Sequence, residues 1–180
     1  MTKLGIIIAS ARPNRVGEHV AQWVVDAARD RFDVDLIDLR EVALPAFDGL
    51  SSPKAGLEKT TDHARAWGER IEALDALIIL TPQYNGSYPG ALKNAIDFLY
   101  AEWSALPTLL VGYGWNAANE VLPVLETLMG RVGADVVGAI GLGFREDLSV
   151  EGELFTAEDK VAALETGLAA LEAKALSPVS

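Results

Sequence analysis

Two short polar segments carry the residues whose types and spacing can do chemistry. The first, Ser10-Ala11-Arg12-Pro13-Asn14-Arg15-Val16-Gly17, follows an apolar run and leads into a helical pattern. A phosphate monoester asks for backbone N–H groups at a helix N-terminus, a hydroxyl donor and a guanidinium, and this segment offers all three. Ser10, Arg12 and Arg15, with the amides of Val16 and Gly17, are the candidate donors. The arginines stand out in a chain whose formal net charge is −11. The alternative is plain capping chemistry, with Ser10 and Asn14 closing a turn and both arginines solvated. The spacing matches neither the Lys-Ser/Thr ending of a Walker loop nor a three-glycine dinucleotide fingerprint, which favours a monophosphate over a triphosphate or pyrophosphate.

The second segment is Pro82-Gln83-Tyr84-Asn85-Gly86-Ser87-Tyr88-Pro89. Gln83, Asn85 and Ser87, together with the amides of Asn85, Gly86 and Ser87, present donors and acceptors that suit the edge of a flat heterocycle with several carbonyls and ring nitrogens. Tyr84 and Tyr88 are placed to flank such a ring. Pro89-Gly90 is expected to open the next helix, because a missing N–H is harmless in the first turn. Residue by residue, ordinary turn chemistry explains this composition too.

The elements that must hold these segments are legible in the apolar pattern. Leu4 to Ala9, Asp33 to Leu39, Ala76 to Leu80, Thr108 to Gly112 and Asp135 to Ile140 are short, rich in branched residues and bounded by turn formers, and they read as strands. The mixed run Val34-Asp35-Leu36-Ile37-Asp38 belongs nearer a sheet edge. Helical periods lie between them: Val16, Val20, Trp23, Val24 and Ala27, and later Val161, Leu164, Leu168 and Leu171. Thr156 followed by Asp159 resembles a capping box for the last helix. Alternating strands and helices imply a parallel sheet covered on both faces, and five strands suit the flavodoxin-like order 2-1-3-4-5. Ligands in such sheets gather beyond the strand ends where the order reverses, between the first and third strands, and the two polar segments follow those strands. The long connection from Val42 to Lys59 is of the kind that is often mobile or site-covering.

At this point the residues carry a resemblance. Residues 82 to 97, Pro-Gln-Tyr-Asn-Gly-Ser-Tyr-Pro-Gly-Ala-Leu-Lys-Asn-Ala-Ile-Asp, resemble the signature of the NADPH-dependent FMN reductase family of flavodoxin-like proteins. The loop with Ser10, Arg12 and Arg15 is similar to that family's FMN-phosphate loop, and the likeness spans roughly residues 3 to 145. The resemblance implies an α/β flavodoxin-like three-layer sandwich, noncovalent FMN reduced by NADPH or NADH, and a homodimer or homotetramer with flavins near the subunit interface. It implies that Ser10, Arg12, Arg15 and the Val16 and Gly17 amides hold the phosphate, and that Pro82, Gln83, Tyr84, Asn85, Gly86 and Ser87 lie along the isoalloxazine. Gly112 and Gly114 carry over from the glycine-rich turn that often follows the fourth strand, although here Tyr113 and Trp115 make that turn bulkier. Gln83 stands where the family usually has Glu. No side chain is assigned as catalytic, because the cofactor performs hydride transfer and the protein positions it.

Composition bounds the alternatives. The 180 residues, half of them hydrophobic, read as one globular unit over residues 1–180. A strongly acidic chain has no basic footprint for nucleic acid or an anionic membrane. The absence of cysteine excludes thiol chemistry, disulfides and Cys-based metal sites, and His19 and His63 have no partner at metal-ligand spacing. The run from Leu4 to Ala9 is too short for a signal peptide or a membrane span, so a soluble cytoplasmic protein is expected. Its expected partner is a small-molecule electron acceptor: free flavin, a quinone, an azo dye or a metal oxyanion. The competing expectation is a flavodoxin-like electron carrier or a flavin redox sensor acting through a protein partner.

Overall fold

The computed structural model describes residues 1–56, 58–155 and 158–177. Each apolar run is a strand: β1 Lys3–Ile8, β2 Asp33–Asp38, β3 Ala76–Pro82, β4 Pro107–Gly114 and β5 Asp135–Gly143. The last three extend past the ends their apolar residues suggest. Thr81 still pairs with Gly112, and Gly112 with Gly141, so ladder bonding continues through polar and glycine positions where hydrophobic composition stops. Between the strands lie α1 Gly17–Ala28, the single turn α2 Leu39–Val42, α3 Asp62–Glu72, α4 Gly90–Asp97, α5 Val121–Arg131 and, last, α6 Glu158–Ala175. Pro89 occupies the N-cap position of α4, one residue before the first turn. Thr156, the expected start signal of α6, lies outside the described residues.

All strands pair in parallel, in the order β2-β1-β3-β4-β5. The mixed strand β2 is at an edge, as its alternating charge requires, and β3 and β4 are buried along their whole length. Because successive side chains point to opposite faces, Ile6, Ile8, Ile78 and Leu80 pack with Val20 and Val24 of α1 and Leu164 and Leu168 of α6. Ile7, Ile79 and Leu110 pack on the other face with Trp67 of α3, Leu92 and Ile96 of α4, and Leu125 of α5. Trp103 belongs to this second cluster, with no exposed surface, and its indole N–H donates to the Ile96 carbonyl at 3.1 Å. Full burial of each Ile or Leu contributes about 2 kcal/mol, which gives the frame enough stability to tolerate local strain at its loops.

The helix after β1 therefore lies on one face and the helix after β3 on the other. Their chains part at the carboxyl ends of these two neighbouring strands, leaving a crevice there. Around Pro45 and Phe47 the connection after α2 is pinned rather than loose. Asn94 of α4 accepts from the Phe47 amide at 2.9 Å and donates to the Pro45 carbonyl at 2.7 Å, while Phe47 packs edge-on against Phe98. Lys93 and Asp97, four residues apart along α4, form an ion pair at 2.5 Å. Among the described residues no helix is long and apolar enough to cross a membrane.

Candidate functional site

The crevice has two ends. At the first, β1 gives way to buried Ser10, and α1 opens with Val16 at the N-cap position and no side-chain cap bond. The first amides of a helix have no intrahelical acceptor and sit at the positive end of its dipole, so an uncapped start is suited to an anion. Gly17 is required here by space: a Cβ would lie 2.6 Å from the Tyr113 hydroxyl oxygen.

The two arginines of this loop have different circumstances. Arg12 is exposed and makes no ion pair among the described residues. Arg15, expected beside it as a phosphate donor, is engaged within the protein. Its guanidinium donates to the Ser10 carbonyl at 2.6 Å, to both carboxylate oxygens of Asp38, one at 2.7 Å, and to Glu18 at 2.9 and 3.0 Å. Its side chain is 4 % exposed and that of Asp38 is 12 % exposed, so Arg15 braces the loop instead of presenting an open fork. Asp38 is a residue the sequence reading missed. Its signal lay in the β1–β2 register, which sets Asp38 opposite Ile8, next to the loop.

Burial alone would push the Asp38 carboxyl up, but the hydrogen bonds from Arg15 and from the Arg40 amide outweigh it and hold the group below the ordinary Asp value. Asp35 is likewise depressed, by its hydrogen bonds from Arg70 first. A depressed carboxylate contributes stability that is complete above its unfolded pKa, near 4, and is lost as pH falls through the folded value. Thermal melts from pH 7 to 3 should therefore show this contribution intact above about pH 4 and declining below it. Asp38→Asn should flatten that acid decline. An unchanged slope would remove the pair from the acid response.

At the other end, Tyr84 and Ser87 exchange backbone hydrogen bonds of 2.8 and 3.0 Å around Asn85 and Gly86, whose φ values are 50° and 76°. Two left-handed central residues make a type I′ turn, and its closure does not use their own N–H groups. Those amides are left for a ligand. Gln83 is held from two sides: its amide donates to the Tyr113 carbonyl at 3.2 Å, and its side-chain oxygen accepts from the amides of Glu120 and Val121 at 3.2 and 3.3 Å. Gln83 thus caps the N-terminus of α5, a bond that a carboxylate oxygen would also accept. What the Glu-to-Gln difference removes is charge rather than the cap. Glu120, not anticipated from sequence, brings a carboxylate to the same place: a Cβ on Gly86 would meet its Oε2 at 2.7 Å.

The two ends touch. Ser10 Oγ and the Tyr84 hydroxyl lie 2.7 Å apart and form a hydrogen bond. Beneath them Tyr113, pointing inward from β4, is 3 % exposed, and among the described residues its buried hydroxyl has no hydrogen-bond partner. Burial pushes its pKa well up, so it stays protonated, a donor facing the start of α1.

The turn after β4 is bulkier than a glycine-rich one and strained. Trp115–Ala118 form a single turn in which Asn116, Ala117 and Ala118 have φ of 52°, 50° and 57°. Asn tolerates this region and alanine does not, at about 1–2 kcal/mol per residue. Glycines elsewhere make room for the turn. A Cβ on Gly112 would meet Ala118 Cβ at 2.7 Å, and one on Gly141 would meet the Ala117 carbonyl oxygen at 2.1 Å. Gly112, carried over as a cofactor residue, therefore packs beneath this turn. Gly114, with φ of 147°, faces Gln83. Of the two aromatics there, Tyr113 lines the buried end and Trp115 projects outward, 53 % exposed.

Comparison with known proteins bears on this geometry. A model of the NADPH-dependent FMN reductase family matches residues 2–147. The chain is 36 % identical over 131 residues to the NAD(P)H-dependent FMN reductase C4B3.06c of Schizosaccharomyces pombe, covering 71 % of this chain and just under two thirds, 66 %, of that protein. It is 32 % identical over 152 residues to the NAD(P)H-dependent FMN reductase LOT6 of Saccharomyces cerevisiae, with 78 % and 80 % covered. It is 33 % identical over 130 residues to an FMN-dependent NADPH-azoreductase of Staphylococcus haemolyticus, with 69 % and 67 % covered. Among solved structures, the flavoenzyme NAD(P)H:(acceptor) oxidoreductase FerB of Paracoccus denitrificans superposes with a TM-score of 0.74 at 23 % identity, covering 97 % of each chain.

Proposed function

This chain belongs to the NADPH-dependent FMN reductase family, and we propose that it holds FMN across the crevice between the Ser10–Gly17 and Pro82–Ser87 loops. With it the protein passes two electrons from NADPH or NADH to a small-molecule acceptor: free flavin, a quinone, an azo compound or a metal oxyanion. The observation that carries this reading is the juxtaposition of an uncapped helix start and a type I′ turn with spare amides, linked by the Ser10–Tyr84 hydrogen bond. The Tyr113 hydroxyl, without a hydrogen-bond partner among the described residues and lodged close against Gly17 at the start of α1, fits a donor to a phosphate ester at the first end.

Bound FMN supplies the hydride and electron transfer. With a quinone, the sum is NAD(P)H, a proton and quinone giving NAD(P)⁺ and hydroquinone. The residues of this chain bind and orient. Ser10, Arg12 and the Val16 and Gly17 amides hold the phosphate, and Arg15 keeps their loop in place. The amides of Asn85 and Gly86 would bond the ring edge and stabilise the negative charge that reduction brings, whereas the Ser87 amide, expected among these donors, is spent on the Tyr84 carbonyl in closing the turn. Gln83 fixes that turn against α5. The assembly we propose is a homodimer or homotetramer, which sedimentation of the holoprotein checks.

The test is to purify the protein, identify its cofactor and mix the yellow holoprotein anaerobically with NADPH and, separately, NADH. Rapid bleaching of the flavin absorbance is expected. Failure with both nicotinamides would overturn the reductase and leave an electron carrier.

Tyr113→Phe gives a prediction with two opposite signs. Removing a buried, unpaired hydroxyl should leave the ligand-free protein as stable or up to about 1 kcal/mol more stable. The same change should weaken FMN by about tenfold, since a hydrogen bond to a charged oxygen is lost. Thermal melts of the apoprotein and fluorescence titrations with FMN read the two effects. A variant less stable and equally avid would refute the assignment.

A further inference from the structure

We propose that Trp115, Phe144 and Arg145 form a landing platform beside the ring end of the crevice, which favours planar electron acceptors bearing a negative charge. The inference rests on the reductase reading and names the acceptor class it would select. The Trp115 ring lies edge-on to Phe144, with centroids 5.4 Å apart, and the Arg145 guanidinium sits 5.2 Å from the Trp115 centroid. Among the described residues Arg145 is exposed and joins no ion pair.

The platform is built rather than loose. Asp147, 4 % exposed, accepts from the Gly143 amide at 2.8 Å, and the Arg145 amide donates to the Leu148 carbonyl at 2.8 Å. Phe144 donates its amide to the Gly114 carbonyl at 3.0 Å, tying this turn to the one that carries Trp115. Gly114 in turn faces Gln83, so the platform adjoins the loop assigned to the flavin ring. Arg145 has a φ of 73°, and with Asn116, Ala117 and Ala118 it brings four strained non-glycine residues to the two turns that display these side chains. Strain of this kind gathers where geometry serves binding.

The chemistry names the occupant. An exposed indole offers a stacking face to a flat ring. A guanidinium held beside it, its donors uncommitted among the described residues, meets a sulfonate, carboxylate or phenolate on that ring. In a chain of net charge −11, which repels anions at a distance, a local cation is what admits them. Each turnover of a quinone there takes two electrons from the reduced cofactor and two protons, and releases the hydroquinone.

The experiment reduces the holoprotein anaerobically and follows reoxidation by naphthoquinone and by naphthoquinone sulfonate in a stopped-flow instrument. For Arg145→Gln the ratio of the sulfonate to the neutral second-order rate constant should fall about tenfold, and the salt dependence of the sulfonate reaction should flatten. Trp115→Leu should slow both quinones about threefold or more. An unchanged ratio in Arg145→Gln overturns the proposal. So does a fall in the rate of reduction by NADPH but not NADH, which would assign the cation to the 2′-phosphate, or a change in sedimentation, which would assign it to a contact between copies. If the wild-type holoprotein is not bleached by either nicotinamide, the reductase reading itself fails; if it is bleached and discharges naphthoquinone normally, only the platform is in question.

Discussion

Gly141→Ala should lose about 3 kcal/mol of stability and disturb the turn that carries Trp115. The added Cβ would lie 2.1 Å from the Ala117 carbonyl oxygen and 3.1 Å from its carbon, and both are backbone atoms. Neither side can yield easily. Gly141 is fixed in the ladder opposite Gly112, and Ala117 already occupies a left-handed conformation between two others. Gly138→Ala, on the same strand, is the control: its Cβ would meet only Leu109 Cδ1, at an ordinary 3.5 Å, and a change within about 1 kcal/mol is expected. Urea unfolding of both variants checks this, and equal losses would show that the turn adapts to β5.

The second large effect separates the two loop arginines. Arg12→Ala should weaken FMN by roughly 10- to 100-fold while leaving riboflavin nearly untouched, because the lost bond is a charged one to phosphate. Its apoprotein stability should not move, since Arg12 is exposed. Arg15→Ala should instead act first on stability, with any loss of FMN affinity following from the unbraced loop. It leaves Asp38 mostly buried without its partner and releases the Ser10 carbonyl, and about 3 kcal/mol of stability should go. Paired titrations with FMN and riboflavin, alongside chemical unfolding, distinguish them. Equal affinity losses for the two ligands in Arg12→Ala would show that the phosphate sits elsewhere.

The contrast also shows what is legible in sequence. Apolar runs and turn formers gave the strands and, through their alternation with helices, the order of the sheet, because burial on both faces leaves a direct compositional trace. The two loops proposed to hold the cofactor were readable as candidates for the same reason: polar, turn-prone residues directly after β1 and β3 of a parallel sheet. Pairing across the fold was not. Nothing local says that Arg15 turns to Asp38, 23 residues away, or that Gln83 reaches the start of α5, 37 residues on. The fate of the aromatics after β4 was equally hidden, since strand parity sends Tyr113 inward and the left-handed turn sends Trp115 out. Glycine was the most deceptive residue. Gly112 and Gly114 looked alike, yet one makes room for a turn and the other faces the ring loop.

The hydrogen bond between Ser10 and Tyr84 makes the two loops a single thermodynamic unit. An anion that draws the Ser10 hydroxyl toward itself releases the Tyr84 ring at the other end of the crevice, and a flat ring that displaces Tyr84 frees Ser10. Reciprocity then requires that inorganic phosphate and riboflavin, offered separately, change each other's affinity by the same factor. On the proposed placement the two halves of FMN would therefore not be held by two independent sites: the intact cofactor would exchange this internal bond once, whereas either fragment alone would break it without filling both ends.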